Sequence, residues 1–132
     1  MVRQANEYRT IVCKSKFYCN EEKEKQLQEA GVEIISLPES KRGLDIEALL
    51  DVLYKMNFSV VMIEAGSRVC TSFLEKKLVD KIHYFMAPKI VGGNFSVFQS
   101  LSIKEMENAI SVDVTSMEKV GEDYHFTGYI KY

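Results

Sequence analysis

The sequence predicts an α/β fold with a mainly parallel sheet, helices on its faces and a C-terminal antiparallel hairpin. Strand and helix patterns alternate as β-α-β-α-β-α-β, and strands joined through helices pair in parallel. The length of 132 residues suits a single domain, residues 1–132. Apolar residues at 46% and charged residues at 27% are ordinary globular usage, which argues against a disordered or fibrous chain.

The first third of the chain predicts a strand, a helix and a second strand. The β-branched run Arg9–Cys13 indicates the first strand. Asn20 is placed to cap a helix over Glu21–Ala30, and Gly31 is placed to end it. Val32–Leu37 predicts the second strand, because it is apolar and is followed by a proline.

A second helix and a buried strand follow. Asp45 is a suitable N-cap for a helix over Ile46–Met56, whose apolar residues recur at helical spacing on one face. The nearly continuous apolar run Phe58–Ile63 predicts a strand that is buried on both faces, as in a parallel sheet.

The second half predicts a third helix over Arg68–Lys77 and a strand over Lys81–Met86. Apolar residues then alternate on both sides of Gly121-Glu122, a pair that suits a tight turn. The tail therefore predicts an antiparallel hairpin.

Composition excludes several classes of partner. The net charge is −2, so there is no basic excess to bind nucleic acid. No apolar run reaches the ~18 residues that a membrane span needs, and the polar N-terminus has no signal-peptide core. Three cysteines without a CxxC pair favour a reduced, cytoplasmic setting. His83 and His125 have no partner at metal-ligand spacing, so we predict neither a metal site nor a catalytic residue.

The turn between the Phe58–Ile63 strand and the third helix predicts an anion site. Ala65, Gly66 and Ser67 are small and open the helix, whose first backbone N–H groups lack partners inside the helix. Such a helix start binds phosphate, and Arg68 would add a charged contact. The plain alternative is an ordinary strand-to-helix turn.

Two further positions are candidate ligand contacts. Glu64 lies at the carboxyl end of the Phe58–Ile63 strand, where ligands of open α/β sheets bind, and it would accept hydrogen bonds from a heterocycle. Lys14, Ser15 and Lys16 follow the first strand and would hold a phosphate monoester such as the 2′-phosphate of NADPH. Solvated side chains remain the alternative at both positions.

The run from Val61 to Gly93 resembles the reductase domain of the bifunctional riboflavin-biosynthesis deaminase/reductase family. That family shows a strand, Glu-Gly-Gly, a helix ending in Ser-Phe-Leu, then Leu-Val-Asp, a strand, Ala-Pro-Lys and Gly-Gly. The corresponding residues are Glu64-Ala65-Gly66, Ser72-Phe73-Leu74, Leu78-Val79-Asp80, Ala87-Pro88-Lys89 and Gly92-Gly93.

The resemblance implies a three-layer α/β/α, dihydrofolate-reductase-like fold that binds NADPH. It places the pyrophosphate at Ala65, Gly66, Ser67 and the helix that they open, and the adenosine phosphate near Lys14–Lys16. Glu64 would face the substrate and nicotinamide pocket. The family reduces the ribose of a ribosylaminopyrimidine 5′-phosphate to a ribityl chain, with hydride from the cofactor.

Two departures from the family pattern matter. Ala65 replaces a glycine, and alanine disfavours positive φ and adds a methyl group near the phosphate. The family's first two strands and its zinc deaminase domain have no counterpart here, so we expect an incomplete sheet with unpaired edges. We therefore expect a fragment, a split-gene product or a homodimer. A non-catalytic assembly partner of a deaminase and a generic nucleotide-binding module remain alternatives.

Overall fold

A computed structural model describes residues 4–92, 97–98, 101 and 103–132. The chain divides between Val61 and Met62 into two compact units. Each unit is described by itself below, and that the two together form one domain stays a prediction.

The first unit is built on a parallel strand pair. Strand β1 (Thr10–Ser15) pairs with β2 (Val32–Leu37) from Thr10↔Val32 to Ser15↔Leu37. Helix α1 (Glu21–Glu29) connects them, and the Asn20 side chain accepts a hydrogen bond from the N–H of Lys23. The two ends of β2, Val32 and Leu37, are buried. The predicted strand-helix-strand unit is confirmed, with its ends shifted by at most two residues.

The rest of the first unit holds a two-strand ladder and a second helix. Strands β3 (Glu39–Ser40) and β4 (Gly43–Leu44) form a short antiparallel pair that the sequence pattern did not reveal. Helix α2 (Ile46–Lys55) begins as predicted at Asp45, whose carboxylate accepts hydrogen bonds from the N–H groups of Glu47 and Ala48.

The predicted buried strand over Phe58–Ile63 is wrong. This segment belongs to no ladder of the described residues, and its apolar side chains are largely exposed, with Val60 84% and Met62 73% exposed. A strand needs neighbours that satisfy its N–H and C=O groups. Among the described strands, β1 and β2 pair only with each other. The Phe58–Ile63 segment therefore has the apolar composition of a central strand, but no described strand pairs with it.

The second unit joins one helix to an antiparallel sheet. Helix α3 (Ser67–Glu75) buries Thr71, Phe73 and Leu74. The sheet has the order β5-β7-β6, so the last strand lies between the other two. Its bounds are β5 Lys81–Met86, β6 Ser111–Val120 and β7 Asp123–Lys131, with a 3₁₀ helix over Met106–Asn108 before β6.

Hydrogen bonds tie the end of the chain to the connection between α3 and β5. The Tyr132 hydroxyl donates to the carbonyl of Val79 and accepts from its N–H, both at 3.2 Å. The N–H of Ile130 donates to the carbonyl of Asp80 at 2.9 Å. Partial burial raises the pKa of the Tyr132 hydroxyl, which therefore stays neutral and able to donate.

Close packing between β7 and β6 requires glycine at position 128. A Cβ at Gly128 would lie 2.5 Å from Cγ1 of Val112 and 2.8 Å from the carbonyl oxygen of Asp113. We predict that Gly128→Ala lowers the free energy of unfolding by about 1–3 kcal/mol, because the strands must move apart. Urea denaturation measures this, and Gly92→Ala, where a Cβ meets nothing within 4 Å, should change it by less than about 0.5 kcal/mol. Equal effects of the two changes would contradict the account.

Candidate cofactor-binding site

The start of α3 is formed by Gly66 and the first helical residues, whose backbone N–H groups point out of the helix end. The N-cap is Gly66, which makes no side-chain capping hydrogen bond, and the first turn of the helix carries no acidic residue. The helix is anchored further along, where Phe73 and Leu74 are buried. N–H groups at a helix start, together with the helix dipole, favour an anion at this position.

The backbone of the turn before α3 leaves room for a ligand. A Cβ built at Gly66 meets nothing within 4 Å, and φ of Gly66 is −68°. Ala65 is not among the described residues with positive φ, so alanine causes no backbone strain there. The thiol of Cys70 donates to the carbonyl of Ala65 at 3.3 Å and so connects the turn to the helix. The residues present therefore fit a phosphate group, and the concern about the Ala65 backbone is removed.

The charged side chains beside this turn are exposed. Glu64 precedes it and Arg68 lies in the first turn of α3, and both reach solvent. Ser67 is half-buried at the first helical position. Glu64, Ala65, Gly66, Ser67 and Arg68 therefore lie together at one helix start, as a consecutive segment must. Their roles as ligand contacts stay predictions.

Lys14 is held by the first unit's own groups. Its ammonium lies 2.7 Å from Oε1 of Glu24 and donates to the carbonyl of Tyr18 at 2.9 Å. The same Glu24 oxygen accepts from the N–H of Asn20 at 3.3 Å. Lys14 therefore links the end of β1 to the start of α1, and part of its charge is already neutralised.

The neighbours of Lys14 differ in their surroundings. The Ser15 hydroxyl accepts a hydrogen bond from the N–H of Phe17 at 3.0 Å. Lys16 is exposed, and its ammonium lies 5.2 Å from the centre of the Phe17 ring. Of the two lysines, Lys16 is the better placed to meet a ligand in solvent. These residues belong to the first unit and the α3 start belongs to the second, and the structure describes each group by itself.

Two sequence expectations concern membranes and metals. Among the described residues, no helix combines the length and the apolar character that crossing a bilayer requires. The same part of the chain contains no cluster of three histidine, cysteine, aspartate or glutamate side chains arranged to hold a metal ion.

A family model matches nearly the whole chain. The model is described as the RibD C-terminal domain, and it matches residues 2–126. The chain belongs to this family. The membership agrees with the resemblance carried by the motifs from Glu64 to Gly92; Gly93, the last residue of that run, lies outside the described residues.

Curated relatives of this RibD-family chain include enzymes of riboflavin biosynthesis. It is 34% identical over 122 residues to the riboflavin biosynthesis protein RibD of Aquifex aeolicus, covering 92% of this chain and 32% of that protein. It is 34% identical over 84 residues to the 2,5-diamino-6-ribosylamino-4(3H)-pyrimidinone 5′-phosphate reductase of Methanothermobacter thermautotrophicus, covering 62% of this chain and 39% of that protein. The chain therefore spans about a third of the length of these relatives.

A solved structure shows the fold of this RibD-family chain. Acinetobacter baumannii RibD superposes with a TM-score of 0.72 at 17% identity, covering 92% of this chain and 37% of that one. The fold is therefore dihydrofolate-reductase-like, as the resemblance implies. At 17% identity, this structural similarity supports the fold and nothing about function.

The Lys14–Glu24 pair predicts an acid-sensitive link. Hydrogen bonds from Lys14 and then from the N–H of Asn20 lower the pKa of Glu24 below its ordinary value of 4.5. A lowered carboxylate pKa stabilises the folded state above pH 4.5, and this contribution disappears as the pH falls through the folded-state pKa. We predict that Glu24→Gln lowers the unfolding midpoint in urea at pH 7, and that the difference from the unmodified protein shrinks below pH 4.5.

The control for this prediction is Glu21→Gln, since Glu21 is an exposed acid in the same helix turn. It should show a smaller difference at pH 7. A Glu24→Gln difference that is independent of pH would mean that the ion pair does not stabilise the fold.

Proposed function

We propose that this chain is the cofactor-binding part of an NADPH-dependent reductase that converts the ribose of a ribosylaminopyrimidine 5′-phosphate to the ribityl form in riboflavin biosynthesis. The observation that carries the proposal is the start of α3 at Gly66, which makes no side-chain capping hydrogen bond and has open space around it, in a chain of the RibD C-terminal family. The reaction named for the Methanothermobacter relative supports the choice of substrate class.

The α3 start would hold the pyrophosphate of the cofactor. The N–H groups of Gly66, Ser67 and Arg68 supply donors, and the Arg68 guanidinium adds a positive charge. Ala65 keeps the backbone close to the ligand because its side chain is only a methyl group. Bound NADPH would supply the hydride, and the protein would supply orientation and electrostatics.

Lys16 would distinguish NADPH from NADH. It is the exposed lysine after β1, and a 2′-phosphate is the only group that NADPH has and NADH lacks. Ser15 would donate its hydroxyl proton to the same phosphate. Lys14 would act less directly, because Glu24 already neutralises part of its charge and holds its position.

Glu64 would bind the substrate. An exposed carboxylate directly before the anion site accepts hydrogen bonds from the N–H groups of an aminopyrimidine. The reduction also needs a proton, which would come from solvent, because no residue of this chain is proposed as the proton donor. Catalysis therefore depends on how the two ligands are oriented.

Further partners follow from the unpaired Phe58–Ile63 segment and from the longer relatives. The exposed apolar side chains of this segment favour pairing with another polypeptide, which we propose to be a second copy in a homodimer or a deaminase. The same observation favours a second candidate function, a non-catalytic assembly partner of a pyrimidine deaminase. Copurification with a deaminase, without NADPH oxidation in the presence of substrate, would favour the second function over the first.

A negative charge at the α3 start should weaken cofactor binding. We predict that Ser67→Asp raises the Kd for NADPH at least tenfold, because the carboxylate repels the pyrophosphate. The fold should be retained, because an acidic residue in the first turn of a helix is favourable. Isothermal titration calorimetry measures the Kd. Gln28→Glu, which adds the same charge on exposed α1, should leave it unchanged. No binding of NADPH at millimolar concentration to the unmodified protein would refute the proposal.

Removing the exposed lysine should reduce the preference for NADPH. We predict that Lys16→Ala raises the Kd for NADPH about tenfold while the Kd for NADH changes less than twofold, because only NADPH carries the 2′-phosphate. The matched control is Lys25→Ala, which removes an exposed lysine paired with Glu29 on α1 and should change neither Kd. Equal losses for both cofactors would place Lys16 away from the 2′-phosphate.

A further inference from the structure

The turn after β1 presents an aromatic ring to solvent. The Phe17 side chain is 76% exposed, and it has no polar atom that could hydrogen-bond to the water around it. A single exposed apolar side chain is common on protein surfaces and has no meaning by itself. The backbone and the charge next to Phe17 are what make this ring a candidate ligand contact.

Hydrogen bonds fix the backbone of the turn that carries the ring. The N–H of Phe17 donates to Oγ of Ser15 at 3.0 Å, and the N–H of Tyr18 donates to the carbonyl of Ser15 at 3.1 Å. The N–H of Lys16 donates to the carbonyl of Leu37 at 2.9 Å and so attaches the turn to β2. The turn is therefore ordered before any ligand arrives, and a ligand that binds it loses little affinity to ordering.

The turn is also attached to helix α1, and it lies at a favourable edge of the strand pair. The Lys14 ammonium donates to the carbonyl of Tyr18 at 2.9 Å and pairs with Glu24 at the start of α1. Strands β1 and β2 are parallel, and the turn follows the carboxyl end of β1. Ligands of open α/β sheets bind beyond the carboxyl ends of the strands, so Phe17 lies where a ligand is expected.

A cation lies beside the ring. The Lys16 ammonium is 5.2 Å from the centre of the Phe17 ring. A cation–π contact at an exposed site is weak, so the ammonium can turn from the ring to a phosphate with little loss. A flat apolar surface for a base and a cation for a phosphate are therefore only a few ångströms apart. The adenosine half of NADPH has the same pairing, because its 2′-phosphate is attached to the ribose that carries the adenine.

We propose that Phe17 is the surface on which the adenine ring of the cofactor stacks. The inference rests on the proposed function and extends it, since Lys16 recognises the 2′-phosphate and Phe17 binds the base. Stacking uses the face of the base and none of its hydrogen-bonding groups. The contribution of Phe17 is therefore the same for NADPH and NADH, whereas the contribution of Lys16 is specific to NADPH.

Isothermal titration calorimetry of the full chain with NADPH and with NADH tests this division of roles. We expect Phe17→Ala to raise both Kd values by the same factor, at least about fivefold, because both cofactors carry adenine. Phe17→Tyr keeps an aromatic ring at this position, so both of its Kd values should stay within about twofold of those of the unmodified protein.

The matched control is Tyr54→Ala. Tyr54 is 78% exposed and lies on α2 in the same unit, so this change also removes an exposed aromatic ring. It should change neither Kd. Far-UV circular dichroism should be the same for all three variants and the unmodified protein, because neither ring is buried in the fold.

Three results would overturn the inference while leaving the proposed function in place. The first is a Phe17→Ala protein that binds both cofactors as well as Tyr54→Ala does. The second is a loss for NADPH alone, which would mean that the ring only positions Lys16. The third is a change in oligomeric state with unchanged Kd values, which would assign the ring to a contact between chains. No binding of NADPH to the unmodified protein would refute the proposed function, and this inference with it.

Discussion

Hydrogen bonding between neighbouring strands is the constraint on which the rest of this structure depends. The parallel pair β1–β2 satisfies the N–H and C=O groups along the edge that the two strands share, and β7 is hydrogen-bonded on both of its edges, to β5 and to β6. The most apolar segment, Phe58–Ile63, has no ladder among the described strands, and its side chains are largely exposed. A segment of this kind lowers its free energy by pairing with another strand. That tendency is the physical reason for proposing a further polypeptide partner.

The candidate site depends on how helix α3 is held in the second unit. Helix α3 is fixed by its buried residues Phe73 and Leu74, whereas its N-cap residue, Gly66, makes no side-chain capping hydrogen bond. The hydrogen bond from the Cys70 thiol to the carbonyl of Ala65 holds the turn before the helix. Rigid support behind accessible donors is what a binding site for a phosphate group needs, because the donors lose little freedom when the ligand binds.

Local signals in the sequence predicted most elements, and contacts between distant residues set the remainder. The caps Asn20 and Asp45 lie where side-chain chemistry placed them, since capping depends on neighbours three residues away. The prediction of a strand over Phe58–Ile63 was wrong because an apolar composition leads to a buried strand only where neighbouring strands are present to pair with it. The ion pair between Lys14 and Glu24, and the 3.2 Å contact between Nδ1 of His83 and Nε2 of His125, form only in the folded chain, so sequence spacing alone did not reveal them.

The central claim is that the first amides of α3 bind the pyrophosphate of a dinucleotide, and amide chemical shifts test it most directly. In ¹H–¹⁵N spectra recorded during titration with NADPH, the account predicts that the largest shifts fall on Gly66, Ser67 and Arg68, with saturation at a single Kd. Inorganic pyrophosphate should move the same amides in the same direction. Saturable shifts confined to other parts of the chain, or amides at these three positions that do not respond, would contradict the account.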